Sequence, residues 1–151
     1  MKKTFRRALS LTIASGLTLA MAVTAGAAEG DTLTRGEMAK LLVEGAGLTD
    51  QVAQYQSQTS VFSDVAEDSE YKGYINLAYA QGLISGTGAD TFSPDAQTTQ
   101  VEAAAAIMQY AGVPEEMLTS WPADYSTTAA RVGLTEGITY SADAAVTEGQ
   151  F

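Results

Sequence analysis

A helix-opening signal occurs three times in this chain: Thr34-Arg35-Gly36-Glu37, Thr99-Gln100-Val101-Glu102 and Thr147-Glu148-Gly149-Gln150. Each sets Thr three residues before Glu or Gln, the pattern of a capping box. In that arrangement the hydroxyl and the acid or amide satisfy backbone N–H groups that a helix start leaves unpaired. One match is common. Three matches inside longer similar segments point to internal duplication, and duplication constrains the fold more than composition does.

Registering Thr34 on Thr99 pairs Leu41 with Ala106, Leu42 with Ile107, Ala46 with Ala111, Gly47 with Gly112 and Leu48 with Val113. The glycines suit a left-handed C-cap. Upstream of the second and third signals, Ala78-Tyr79-Ala80-Gln81-Gly82-Leu83-Ile84-Ser85-Gly86 matches Ala129-Ala130-Arg131-Val132-Gly133-Leu134-Thr135-Glu136-Gly137, and Phe92-Ser93-Pro94-Asp95 matches Tyr140-Ser141-Ala142-Asp143. The unit is a helix, a Gly turn, an aromatic-containing loop and a capped helix. Helices are expected over about 34–45, 71–81, 99–111 and 123–132. A fifth is expected to begin at Thr147 and to stop after one turn at Phe151. The Gln-rich stretch 49–60 has no periodicity and reads as a connector. With two whole capped helices and a stub, Leu41, Leu42 and Ile107 are expected to be partly exposed, as in the N-terminal part of a longer protein or a truncated relative.

The first 27 residues read as a secretory signal peptide. Lys2, Lys3, Arg6 and Arg7 form a basic start, an apolar small-residue run follows, and Ala25-Gly26-Ala27 fits a cleavage site. The apolar run is interrupted by Ser10, Thr12, Ser15, Gly16 and Thr18, so a transmembrane anchor is the weaker reading. After cleavage, Arg35, Lys40, Lys72 and Arg131 stand against all 18 acidic residues, a formal charge of −14. Such a chain is unsuited to nucleic acid or anionic lipid. Cys and His are absent. That excludes disulfides, thiol or Ser-His-Asp chemistry and His-ligated metals, and no cofactor or enzymatic activity is expected.

Asp64, Glu67, Asp68 and Glu70 precede the second helix and read as a solvated cap at its positive end. A weak Ca²⁺ site is the alternative, without EF-hand spacing to support it. Gly86-Thr87-Gly88-Ala89-Asp90 lacks the Lys-Ser/Thr of a phosphate loop. Arg35 is the residue with the clearest chemistry. In the first turn of a capped helix, free N–H groups already favour an anion, and a guanidinium can clamp a carboxylate with two hydrogen bonds. The alternative is an ordinary exposed helix residue. Tyr71, Tyr74, Trp121 and Tyr125 are either core or the aromatic wall of a site.

The motif order resembles the S-layer homology (SLH) family. Its middle copy is nearly complete: Phe62-Ser63-Asp64-Val65, then Tyr74-Ile75 and Ala78, then Gly82-Leu83-Ile84-Ser85-Gly86, Phe92-Ser93-Pro94 and Thr99-Gln100-Val101-Glu102. The resemblance covers roughly 33–151. It implies an all-α fold of tandem repeats in a pseudo-threefold helical bundle, with repeats at 28–60, 61–113 and 114–151 and the last cut short. It implies non-covalent attachment of a secreted protein to the bacterial cell wall or S-layer through a pyruvylated secondary cell-wall polysaccharide, with self-association as a further partner mode. The implied glycan-binding set is Arg35 with Thr34, Asp64, Tyr71, Tyr74 and Gly86. Gln100 and Glu148 stand where the family carries Arg, so at most one of three sites keeps the cation. The alternative is a structural or self-assembly segment that has lost glycan binding.

Overall fold

The computed structural model describes residues 31–151, and the expected signal peptide lies outside them. The described chain is helical, with five α-helices: α1 (Arg35–Gly45), α2 (Val52–Gln56), α3 (Lys72–Ala80), α4 (Gln100–Tyr110) and α5 (Ala123–Arg131). Among the described residues there is no β-strand, only isolated bridges, and no helix long and apolar enough to cross a membrane.

Two of the capping boxes form in full. Glu37 Oε2 accepts from the Thr34 N–H at 2.8 Å, and the Thr34 hydroxyl accepts from the Glu37 N–H at 3.2 Å. At α4 the Glu102 carboxylate accepts from the Thr99 N–H at 2.8 Å, and the Thr99 hydroxyl accepts from the Glu102 N–H at 3.4 Å. At the third signal the Thr147 N–H donates to Gln150 Oε1 at 3.1 Å, and the chain makes a turn there. Gly47 (φ +69°) and Gly112 (φ +73°) close α1 and α4 in the left-handed region. There they place paired N–H groups on the last carbonyls, in the Schellman pattern.

The three segments leading into these signals are joined in a ring. The Leu33 N–H donates to Val146 O at 2.8 Å, the Val146 N–H to Thr98 O at 2.9 Å, and the Thr98 N–H to Leu33 O at 2.8 Å. A second correspondence accompanies it. The Arg35 and Gly36 N–H groups donate to Ala96 O and Pro94 O, and the Gln100 and Val101 N–H groups donate to Ala144 O and Ala142 O.

The stretch read as a connector contains a short 3₁₀ turn (Thr49–Gln51) and α2. Polar composition hid the reason, which is long-range. Val52 and Tyr55 pack on the core, Gln56 Oε1 accepts from the Gly73 N–H at 2.7 Å, and Gln56 Nε2 donates to Ser69 O at 3.0 Å. Gln56 thus does the capping at α3 that the acidic cluster was expected to do. Gly73 is required for this approach, because a Cβ there would sit 2.8 Å from Val52 O.

The main core joins α1, α3 and the aromatic loop around Val43, Ile75, Leu77 and Phe92, each fully buried. Leu42 is also buried, contrary to expectation, whereas Leu41 and Ile107 are half-buried. A satellite cluster of Ala104, Met108, Leu118 and Ala129 holds α5 to α4. The alanine run Ala103–Ala106 is buried throughout; its thin profile lets α4 face both clusters.

Candidate functional site

Arg35 is not the exposed cation that its place in a first turn implies; only 5% of the residue is accessible. The N-cap at Thr34 sets the direction in which α1 enters, and the guanidinium lies 4.7 Å over the Phe92 ring. Its Nε donates to Phe92 O at 2.8 Å, Nη2 to Ser85 O at 2.9 Å and Nη1 to Glu102 Oε1 at 2.8 Å. Burial pulls its pKa down, while Glu102 and Asp64 favour the charged form. A guanidinium carries five N–H donors; three are engaged, which leaves two.

Arg35 lines an open groove of about 360 Å³, together with Leu83–Thr87, with Glu102, Ala105, Ala106 and Gln109 of α4, and with Trp121. Among the sequence-predicted set, the structure brings Arg35 and Gly86 together here. Gly86 cannot be replaced without movement: a Cβ would lie 2.7 Å from Thr91 O and 2.8 Å from the Phe62 ring.

The other members lie elsewhere. Thr34 is occupied by Glu37. Asp64 accepts from the Phe92 N–H at 2.8 Å and the Ser93 N–H at 2.7 Å, clamping the loop that presents Phe92 O to Arg35. Although desolvation works against ionisation, these hydrogen bonds and the Arg35 charge hold the Asp64 carboxyl below its ordinary range. Tyr71 lies against Gly36, where a Cβ would approach its ring to 2.9 Å. Its ring faces a different cavity of about 340 Å³ with Glu37, Lys40, Glu44 and Glu148. Tyr74 packs on the core. Tyr125 meets Trp121 edge to face, with centroids 4.9 Å apart.

The α1 backbone donors are not free for a ligand either. The Arg35, Gly36 and Glu37 N–H groups are bonded to Ala96 O, Pro94 O and the Thr34 hydroxyl. The acidic run splits as well: Glu67 pairs with the buried Lys72 at 2.6 Å. Among the described residues no group of acidic side chains is placed to hold a metal ion.

Glu102 and Gln109 are the residues that sequence reasoning missed. Glu102 does two jobs, since one oxygen caps α4 and the other holds Arg35. The capping-box pattern accounted for the first and concealed the second.

The position equivalent to Arg35 in the second copy differs. Gln100 is buried, and its Oε1 accepts from the Ser141 N–H at 2.9 Å. The space beside it is only about 30 Å³.

These elements form a helical module with one open groove beside Arg35, and residues 61–104 match the model of the S-layer homology domain. That segment of the chain is thus similar to the S-layer homology domain. It is similar to a "Cell surface protein" of Thermoanaerobacter kivui, 28% identical over 117 residues, covering 78% of this chain and 15% of that protein. It is also similar to a "Surface layer protein" of Brevibacillus choshinensis, 27% identical over 124 residues, covering 79% of this chain and 11% of that protein. A "Middle cell wall protein" of Brevibacillus brevis is 28% identical over 114 residues, covering 76% of this chain and 11% of its own length. The chain thus spans 11 to 15% of the length of these curated relatives.

Proposed function

We propose that this chain is a secreted, non-catalytic module that attaches its protein to the bacterial cell wall or S-layer by binding a pyruvylated secondary cell-wall polysaccharide beside Arg35. The observation that carries this reading is a buried guanidinium that lines an open groove, with three of its five N–H groups engaged by the protein. A ketal-linked pyruvate offers one carboxylate at the edge of a sugar ring, and preorganised N–H donors suit it. The S-layer homology match and the surface-protein relatives support anchoring.

On the same reading the segments 28–60, 61–113 and 114–151 are tandem repeats around a pseudo-threefold axis. The closed ring of hydrogen bonds through Leu33, Thr98 and Val146 supports that arrangement, as does the shared cap geometry of α1 and α4. Of the three equivalent positions, one carries Arg35, one is closed by Gln100, and the third carries Glu148, which repels a carboxylate.

A second reading, a structural or self-assembly segment that has lost glycan binding, is favoured by one observation. Glu102 already offsets the Arg35 charge. Cosedimentation with purified cell walls separates the two. Glycan binding requires that retention vanish when pyruvate is stripped from the walls, and that folded Arg35→Gln stay in the supernatant. Retention indifferent to both treatments favours assembly.

A further inference from the structure

The groove is longer than the anion site. Glu102, Ala105, Ala106 and Gln109 lie on one face of α4 at i, i+3, i+4 and i+7, a run of about 10 Å at ~1.5 Å rise per residue. A single pyranose does not fill that length, and the volume of about 360 Å³ falls in the range of sites that enclose drug-sized ligands. Arg35 leaves little surface for stacking, because one face of its guanidinium lies on Phe92 and only 5% of the residue is accessible. The groove's aromatic wall is Trp121, and 56% of that residue is exposed.

An exposed tryptophan on the segment entering a helix could be a passive surface residue. Trp121 is instead posted in place. Its ring meets Tyr125 at 4.9 Å and 68°, and Tyr125 is anchored against the cluster of Ala104, Met108, Leu118 and Ala129. A large apolar ring held in position costs little rotamer entropy on binding. The groove that it lines also carries Ala105, Ala106 and Gln109. An apolar plate beside an amide is what the C–H face and the hydroxyl edge of a neutral sugar require.

We propose that the groove has two parts: Arg35 takes the acid-bearing sugar, and Trp121 stacks on a neighbouring neutral pyranose, so that the recognised unit is at least a disaccharide. This rests on the glycan reading above and adds a specificity element to it. Trp121 is the chain's single tryptophan, so its emission reports occupancy of this part of the groove alone.

The test uses the full chain and two probes: the methyl glycoside of a pyruvate-ketal hexosamine, and a disaccharide joining that sugar to a neutral pyranose. The disaccharide should bind about fivefold to tenfold tighter, the worth of one aromatic contact, and should shift or quench the tryptophan emission. Trp121→Ala should erase the gain while leaving affinity for the monosaccharide within about twofold, and Trp121→Phe should restore most of it. The ring is exposed, so far-UV circular dichroism of both variants should match the parent. If the two probes bind equally, or if Trp121→Ala weakens both alike, the two-part groove is wrong and the anion site stands. If neither probe binds the parent chain by calorimetry, the glycan reading falls and this inference falls with it.

Discussion

The two cap helices α1 and α4 begin with the same box and end with the same Gly turn, yet the spaces beside Arg35 and Gln100 differ more than tenfold in volume, about 360 Å³ against about 30 Å³. At the first, the side chain reaches the Gly turn and stacks on Phe92, and a partner acid from the next cap helix fixes it. At the second, the shorter amide turns to the backbone of its own aromatic loop at Ser141, and Leu134, Ile138 and Phe151 line what remains. Backbone equivalence does not confer an equivalent site. What separates the two is whether the residue after the capping Thr is long and charged enough to need solvent and a counter-ion.

The sharpest way to break that contrast is to remove the counter-ion. Glu102→Ala leaves a buried guanidinium unpaired and removes the acid half of the α4 capping box, and should cost roughly 3 kcal/mol in urea unfolding, at the low end for a broken buried pair because Glu102 is partly exposed. A loss below about 1 kcal/mol would mean that Arg35 is held by the carbonyls alone. Gly86→Ala attacks the groove's other wall. The Thr91 carbonyl and Phe62 ring must both retreat, with a loss of about 2 kcal/mol and weaker retention on cell walls. Parent-like melting would show the turn to be softer than its contacts imply.

Acid tests the clamp that holds the aromatic loop. The Asp64 carboxyl titrates below its ordinary value of 3.8 in the folded chain. Its contribution is therefore present above that value and is lost as pH falls through the lower, folded one. The Asp64→Asn variant should lose less stability than the parent between pH 5 and pH 2, by urea midpoints measured across about that range. Parallel curves would remove Asp64 from the account. The smallest effect belongs to Thr98. Its buried hydroxyl has no partner among the described residues, while Leu33 and Val146 stand at the matching places in the hydrogen-bonded ring. Thr98→Val should stabilise by about 1 kcal/mol. Destabilisation would reveal a bonded hydroxyl.

Much of this was legible along the chain, because it is local. Thr34 with Glu37, Thr99 with Glu102, and the terminal glycines Gly47 and Gly112 each act within a turn of the residues they serve. The parts that escaped are contacts across the fold. Gln56 meets Gly73 from a stretch without periodicity, and Asp64 turns away from α3 to the loop at Phe92. Arg35 finds Glu102 across 67 residues. Of the candidate site, Arg35 and Gly86 reach the groove, while Tyr71 and Tyr74 are drawn into packing because a glycine at 36 and the core offer them closer contacts.

The contrast between the two grooves is tested most directly by calorimetric titration of the folded chain with a pyruvate-ketal saccharide. The expected stoichiometry is one, falling to zero in Arg35→Gln and staying at one in Gln100→Arg, whose groove has no room. Two or more sites in the parent, or binding that survives the loss of Arg35 in a folded variant, would contradict it.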